Sequence, residues 1–139
     1  MKQEFYNLQI NTKGQKLYEF TDQTSNWIKK NNFKNGILNL SIQHTSASII
    51  VQENADPDVQ TDLINYFNNL APMDSKLYIH TTEGKDDMPA HIKSALTNNQ
   101  ISLSIKDSKL ILGTWQGIYL FEHRLDNHKR TIVHHYIGD

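Results

Sequence analysis

A strict two-residue alternation over residues 37–44 sets the first limit on how this chain can fold. Leu38, Leu40, Ile42 and His44 fall on one face, while Asn39, Ser41 and Gln43 fall on the other. That pattern fits a half-buried strand, because a helix would scatter the same apolar residues around its circumference. Ile101, Leu103 and Ile105 repeat it against Ser102 and Ser104, and the turn Lys106-Asp107-Ser108-Lys109 sends the chain back through Leu110-Ile111-Leu112. Residues 5–10 and 16–20 have strand character on either side of Gly14-Gln15, which predicts an opening hairpin. Further strands are expected at residues 47–52, 77–81, 113–124 and 130–137.

Three helices interrupt the strands. The first is expected over residues 22–33, with Trp27 and Ile28 on its inner face and an end near Asn35-Gly36. Asp56-Pro57 opens the second with a capping carboxylate and a proline at the first helical position. Val59, Leu63, Tyr66, Phe67 and Leu70 then recur at helical spacing until Ala71-Pro72. The third starts around Pro89, with Ile92, Ala95 and Leu96 available to pack. Short turns between strands favour antiparallel pairing. The expectation is one α+β domain over residues 1–139: about nine strands in a largely antiparallel sheet or sandwich, with three helices on one face.

Composition removes several classes of function. The formal net charge is −1, and Lys29-Lys30 and Lys129-Arg130 are the only adjacent basic pairs, so no nucleic-acid-binding stripe exists. No apolar run reaches the ~18–20 residues of a membrane span, and the first residues lack a secretory pattern. A cytoplasmic location without a membrane partner is the expectation. The absence of cysteine excludes disulfides, thiol nucleophiles and thiolate zinc sites. Any metal must be held by histidine and oxygen ligands.

Polar residues gather in three places: from His44 through Ser48 and on to Asp56, over "HTTEGKDDMPAH" at residues 80–91, and from Gly113 to Arg124. His44 ends an apolar face, which permits either a buried, hydrogen-bonded imidazole or a ligand aimed into a cleft. His91 lies in a first helical turn, where the positive dipole end disfavours imidazolium. A neutral imidazole there suits metal ligation or proton transfer. His134 and His135 are adjacent in a strand and point to opposite faces. The N–H groups opening the second and third helices could hold an anion, unless Asp56 and Asp87 occupy them as caps.

The blocks "HTSASIIVQENADPDVQTDL", "HTTEGKDDMPAHIKSAL" and "LGTWQGIYLFEHR" resemble, in order, the three signature blocks of the YjbQ family. The resemblance implies an α+β antiparallel fold, a homotrimer with sites near subunit contacts, and a secondary thiamine-phosphate synthase activity. His44, Glu53, Asn54, Asp56, His80, Asp86, Asp87, His91, Gln116, Glu122 and His123 stand at the family's motif positions.

On that footing the chain is expected to be a small enzyme acting on a phosphorylated molecule. A divalent ion, zinc or magnesium, would be bound by His44, His80 and His91. Glu53, Asp87 or His123 would handle protons, and Ser46, Asn54, Asp86, Thr114, Gln116 and Glu122 would hold the substrate. Histidines suit zinc better than magnesium, so the synthase reaction reads as a side activity of a metal–phosphate site. The rival reading is a trimeric module that binds a metal or small ligand without turnover. A purely structural role leaves three separate polar clusters without a reason.

Overall fold

A computed structural model describes residues 1–139. The elements, in chain order, are β1 (Lys2–Lys13), β2 (Lys16–Glu19), α1 (Thr21–Lys30), β3 (Gly36–Ile42), β4 (Ala47–Glu53), α2 (Pro57–Leu70), a 3-10 turn (Ser75–Leu77), α3 (Asp87–Leu96), β5 (Gln100–Lys106), β6 (Lys109–Leu110), β7 (Gln116–Glu122) and β8 (Asn127–Gly138). They form a five-stranded sheet in the order β1-β8-β3-β5-β6 and a three-stranded sheet in the order β2-β7-β4. Every strand pairing is antiparallel. No helix is long and apolar enough to cross a membrane.

The alternation over residues 37–44 has the expected consequence. Leu38, Leu40 and Ile42 of β3 meet Ile49 of β4 and Ile118 and Leu120 of β7 in one core between the two sheets. Ile132 and Tyr136 of β8 and Ile28 of α1 complete it. The opposite residues of β7, Tyr119 and Phe121, pack with Leu17 against Leu63, Ile64 and Phe67 of α2. The domain is therefore layered as sheet, sheet and helix, with α3 lying against β4.

Eight strands form instead of about nine. Residues 77–81 join no ladder: Leu77 closes the 3-10 turn, residues 78–81 follow it as irregular chain, and Ile79 is fully exposed. The expected opening hairpin does not form either: β1 pairs with β8 and β2 with β7, in different sheets. Asp56 caps α2 as expected, accepting from the Asp58 N–H at 2.9 Å. Helix α3 begins two residues before Pro89, and neither Asp86 nor Asp87 caps it through its side chain. The Asp87 N–H instead donates to the Gly84 carbonyl at 3.3 Å. At α2 the Asp58 and Val59 N–H groups are taken by Asp56, whereas at α3 the Ala90 N–H donates to the Asp86 carbonyl and no carboxylate caps the start.

Candidate metal centre and adjoining cavity

The period of β7 and β8 places two opposite charges inside the sandwich. Glu122 is in phase with Ile118 and Leu120, and Arg130 is in phase with Ile132 and His134. Both point between the sheets, where Arg130 Nη2 lies 2.6 Å from Glu122 Oε2 and its Nε donates to Oε1 at 2.8 Å. Thr12 Oγ1 donates to Glu122 Oε1, and Arg130 also reaches Ser46 Oγ and its carbonyl. Burial would raise the Glu122 pKa, but Arg130 and Thr12 hold it below the usual carboxylate range. Arg130 thus ties Glu122 of β7 to Ser46 in the loop after β3, where His44 and Thr45 sit.

Two residues beyond Glu122, Arg124 reaches the start of α3. Its Nε donates to Asp86 Oδ2 at 2.9 Å, its Nη1 to Asp87 Oδ1 at 2.7 Å and its Nη2 to the Glu83 carbonyl at 2.8 Å. Asp86 also accepts the Leu125 N–H. Burial favours the protonated form of both aspartates, yet both pKa values are lowered. For Asp86 the cause is the Leu125 N–H and Arg124; for Asp87 it is the His80 hydrogen bond and the charges of His91 and Arg124. Gly84, at φ +106°, makes the left-handed turn that brings this stretch back on itself.

The result is a compact group of His80, Glu83, Asp87 and His91, whose ligand atoms lie within 4.8 Å of one another. Asp87 Oδ2 is 2.7 Å from His80 Nε2 and 3.1 Å from His91 Nε2, and His80 Nε2 is 3.0 Å from Glu83 Oε2. The Asp87 carboxylate raises the pKa of His80. The chemistry of His91 decides what the group can hold. Its Nδ1 lies 3.0 Å from the Thr45 carbonyl, an oxygen that only accepts, so Nδ1 carries a proton. Were the ring neutral, Nε2 would aim a bare lone pair at the Asp87 carboxylate, 3.1 Å away. Two acceptors face each other stably only with a cation between them, either a proton or a metal ion. An imidazole whose second nitrogen is held by a carbonyl is also the usual outer-shell arrangement of metal-ligating histidines.

Of the three histidines expected to share a metal, the structure brings together His80 and His91. His44 lies outside the group, and its Nε2 accepts the Thr131 N–H at 3.0 Å. Burial and the nearby Arg130 charge lower its pKa. Glu83, a group member that the sequence reading passed over, sits three residues from His80 in the same loop.

Glu53, Asn54, Thr114 and Gln116 are elsewhere. Register pairs Glu53 with Gln116 and Ala47 with Glu122, so these residues occupy opposite ends of β4 and β7, roughly 20 Å apart at strand rise. Glu53 Oε2 accepts from the Asp56 N–H, and Gln116 Oε1 from the Gly113 N–H. His123 is fully buried, with Nε2 2.9 Å from Ser48 Oγ and Nδ1 without a partner. Burial, with the charges of Lys93 and Arg130, pushes its pKa down to about 3. A substrate in solution does not touch it. Glu122 and Ser46 are likewise enclosed by Arg130.

Beside the histidine–carboxylate group, a cavity of about 230 Å³ opens between the loop after β3 and α3, lined by His44, Thr45, His91, Ser94, Ala95 and Asn99. His91 belongs to both.

The fold and this group define a small two-sheet α+β protein with a solvent-facing histidine–carboxylate centre at the start of a helix. The chain belongs to the YjbQ family: the family model, described as UPF0047 protein YjbQ-like, matches residues 6–139. A UPF0047 protein of Synechocystis sp. is 46% identical over 132 residues, covering 95% of this chain and 90% of that protein. One from Methanocaldococcus jannaschii is 40% identical over 118 residues, covering 84% and 83%. Among solved structures, a conserved hypothetical protein from Thermus thermophilus superposes with a TM-score of 0.82 at 29% identity, covering 92% of this chain and 97% of that one. A YbjQ-like protein of unknown function from Sulfolobus solfataricus reaches 0.85 at 22% identity over 99% and 100%, a likeness of fold. The family is one of unknown function.

Proposed function

We propose that this protein is a cytoplasmic enzyme in which His80, Asp87 and His91, with Glu83, hold a divalent metal ion that acts on a small phosphorylated substrate. The observation that carries this reading is the convergence of ligand atoms from His80, Glu83, Asp87 and His91 within 4.8 Å, with His91 Nδ1 held by the Thr45 carbonyl and its Nε2 turned to Asp87. Two imidazoles with carboxylates suit zinc or another transition metal more than magnesium, which takes oxygen ligands. A bound ion would polarise a phosphoryl oxygen and offset its charge. This chain's own residues supply the rest: Arg124 orients Asp87, and the Thr45 carbonyl fixes the tautomer of His91.

Thiamine-phosphate synthesis, which the family resemblance implies, has to seat two heterocycles and a pyrophosphate. The cavity is below the ~300–1,000 Å³ of pockets that hold drug-sized ligands, and Ala95 is its single apolar lining residue. We therefore assign that reaction as a side activity. The homotrimer belongs to the same proposal. Ile79, Leu77 and Trp115 are exposed apolar side chains available to contacts between copies, and light scattering on the purified protein checks the state.

Metal uptake tests the centre. Metal-stripped protein titrated with Zn²⁺ or Mn²⁺ should take up about one ion per chain, and Asp87→Asn should lose that uptake while keeping its fold. Phosphate release from small esters should then require the added ion. A wild-type protein that binds neither metal sinks the reading; one that binds metal without any turnover favours a binding module.

A further inference from the structure

The cavity beside the metal centre has an unusual lining for a protein of phosphate chemistry: no lysine, arginine or carboxylate faces it. The nearby cations are engaged elsewhere. Arg124 is held by Asp86 and Asp87, and Arg130 by Glu122. Lys93 Nζ donates to Asn68 Oδ1 at 2.6 Å, toward α2. A charged substrate group placed in the cavity would lose hydration without gaining a side-chain counter-ion, which is unfavourable.

The lining offers uncharged hydrogen-bonding groups instead, of both polarities. His44 accepts the Thr131 N–H through Nε2, so its proton is on Nδ1 and the neutral ring presents a donor. Ser94 Oγ donates to the Ala47 carbonyl at 2.9 Å, leaving its lone pairs as acceptors. Thr45 adds a hydroxyl, and Asn99 brings an amide donor and an acceptor. Apart from the imidazoles no aromatic side chain lines the cavity, so a flat base or ring finds no large stacking partner. Neutral donors and acceptors together in a small volume match hydroxyl groups, each of which both donates and accepts.

We propose that this cavity is the specificity subsite for a small uncharged polyol, so that the substrates are phosphate monoesters of polyols about three to five carbons long. The phosphate lies on the metal held by His80, Asp87 and His91, and the hydroxylated chain extends past His91 into the cavity. The assignment rests on the metal reading above and adds the class of organic group. The Asn99 amide and the Thr45 hydroxyl are the specificity groups; neither belongs to the ligand set, and Thr45 touches it only through the carbonyl that holds His91.

Calorimetry on the Zn²⁺- or Mn²⁺-loaded full chain tests it with two esters of nearly equal size and charge, glycerol 3-phosphate and n-propyl phosphate. Inorganic phosphate serves as the control. Two neutral hydrogen bonds predict about tenfold tighter binding of the hydroxylated ester. Asn99→Leu should bring the two esters close together without changing the affinity for inorganic phosphate, and Thr45→Val should do so in part. Equal binding of the two esters by the metal-loaded wild type would overturn the polyol subsite and leave the metal centre standing. A preference that survives both substitutions would overturn its location. Metal content measured on the same samples separates the failures, because a wild type that takes up no metal overturns the centre and the subsite together.

Discussion

Arg124 is the residue on which the centre's geometry turns. Its three nitrogens take three acceptors, the carboxylates of Asp86 and Asp87 and the Glu83 carbonyl, and so set both the aspartate and the loop carrying His80. Lysine carries the same charge but cannot make that fork. We expect Arg124→Lys to weaken metal binding by about 10–100-fold, the usual loss when an outer-shell partner goes. Competition against a chromophoric chelator measures it, and unchanged affinity would show that Asp87 is positioned by other means. Much of this centre was legible from residue type and spacing. His80, Asp87 and His91 stand in one short stretch, with a glycine that allows it to turn back. Glu83 was equally visible, and its position three residues after His80 was the missed signal. His44 was not decidable, since what occupies its Nε2 is a backbone N–H of β8, 87 residues away.

Among the elements, α3 matters most, because it carries Asp87 and His91 one turn apart and is fastened by its other end. Ser94 donates to the Ala47 carbonyl, Thr97 Oγ1 lies 2.7 Å from Ser48 Oγ, and Lys93 donates to Asn68 of α2, which exchanges hydrogen bonds with Gln15. Lys93 is 1% exposed, and burial pushes its pKa down to about 8. Between that value and the ordinary lysine value near 10.5, the unfolded chain holds more protons, so stability rises with pH across this window. We expect urea unfolding at about pH 8 and pH 10 to show that rise in the wild type relative to Lys93→Met, which lacks the titrating group. An equal response in both would place Lys93 in water. Elements also divide what sequence could and could not supply. Alternation identified β3 and β5, and Asp56-Pro57 identified α2, because those signals are local. That Glu53 and Gln116 lie at the far end of β4 and β7 from the centre follows from antiparallel register, which no local pattern contains.

For the whole molecule, the decisive feature is how many titratable groups the layered core holds in one protonation state. His134 is fully buried, with Nε2 2.8 Å from Thr24 Oγ1 and Nδ1 3.3 Å from the Ile132 carbonyl. The carbonyl requires a proton on Nδ1 and the hydroxyl can donate to Nε2, so a neutral ring satisfies both. Burial pushes its pKa down to about 4, and that of His123 to about 3. In the unfolded chain both titrate near about 6.5. As pH falls below that value the unfolded state gains protons that the folded state refuses, and stability declines until the folded pKa is reached. The buried carboxylate works lower on the scale: Glu122, depressed by Arg130 and Thr12, contributes stability that is lost as pH falls through its folded pKa. Acid unfolding should therefore begin with histidines, well above the range in which carboxylates protonate. His134→Phe removes one of these groups while retaining a ring. Its stability at pH 7 should fall, but its loss between pH 7 and pH 5 should be smaller than that of the wild type by roughly 2 kcal/mol, from about 1.4 kcal/mol per pH unit below 6.5. Denaturant unfolding of both proteins at the two pH values measures the difference. Parallel losses would mean that His134 takes up its proton in the fold as it does in the unfolded chain.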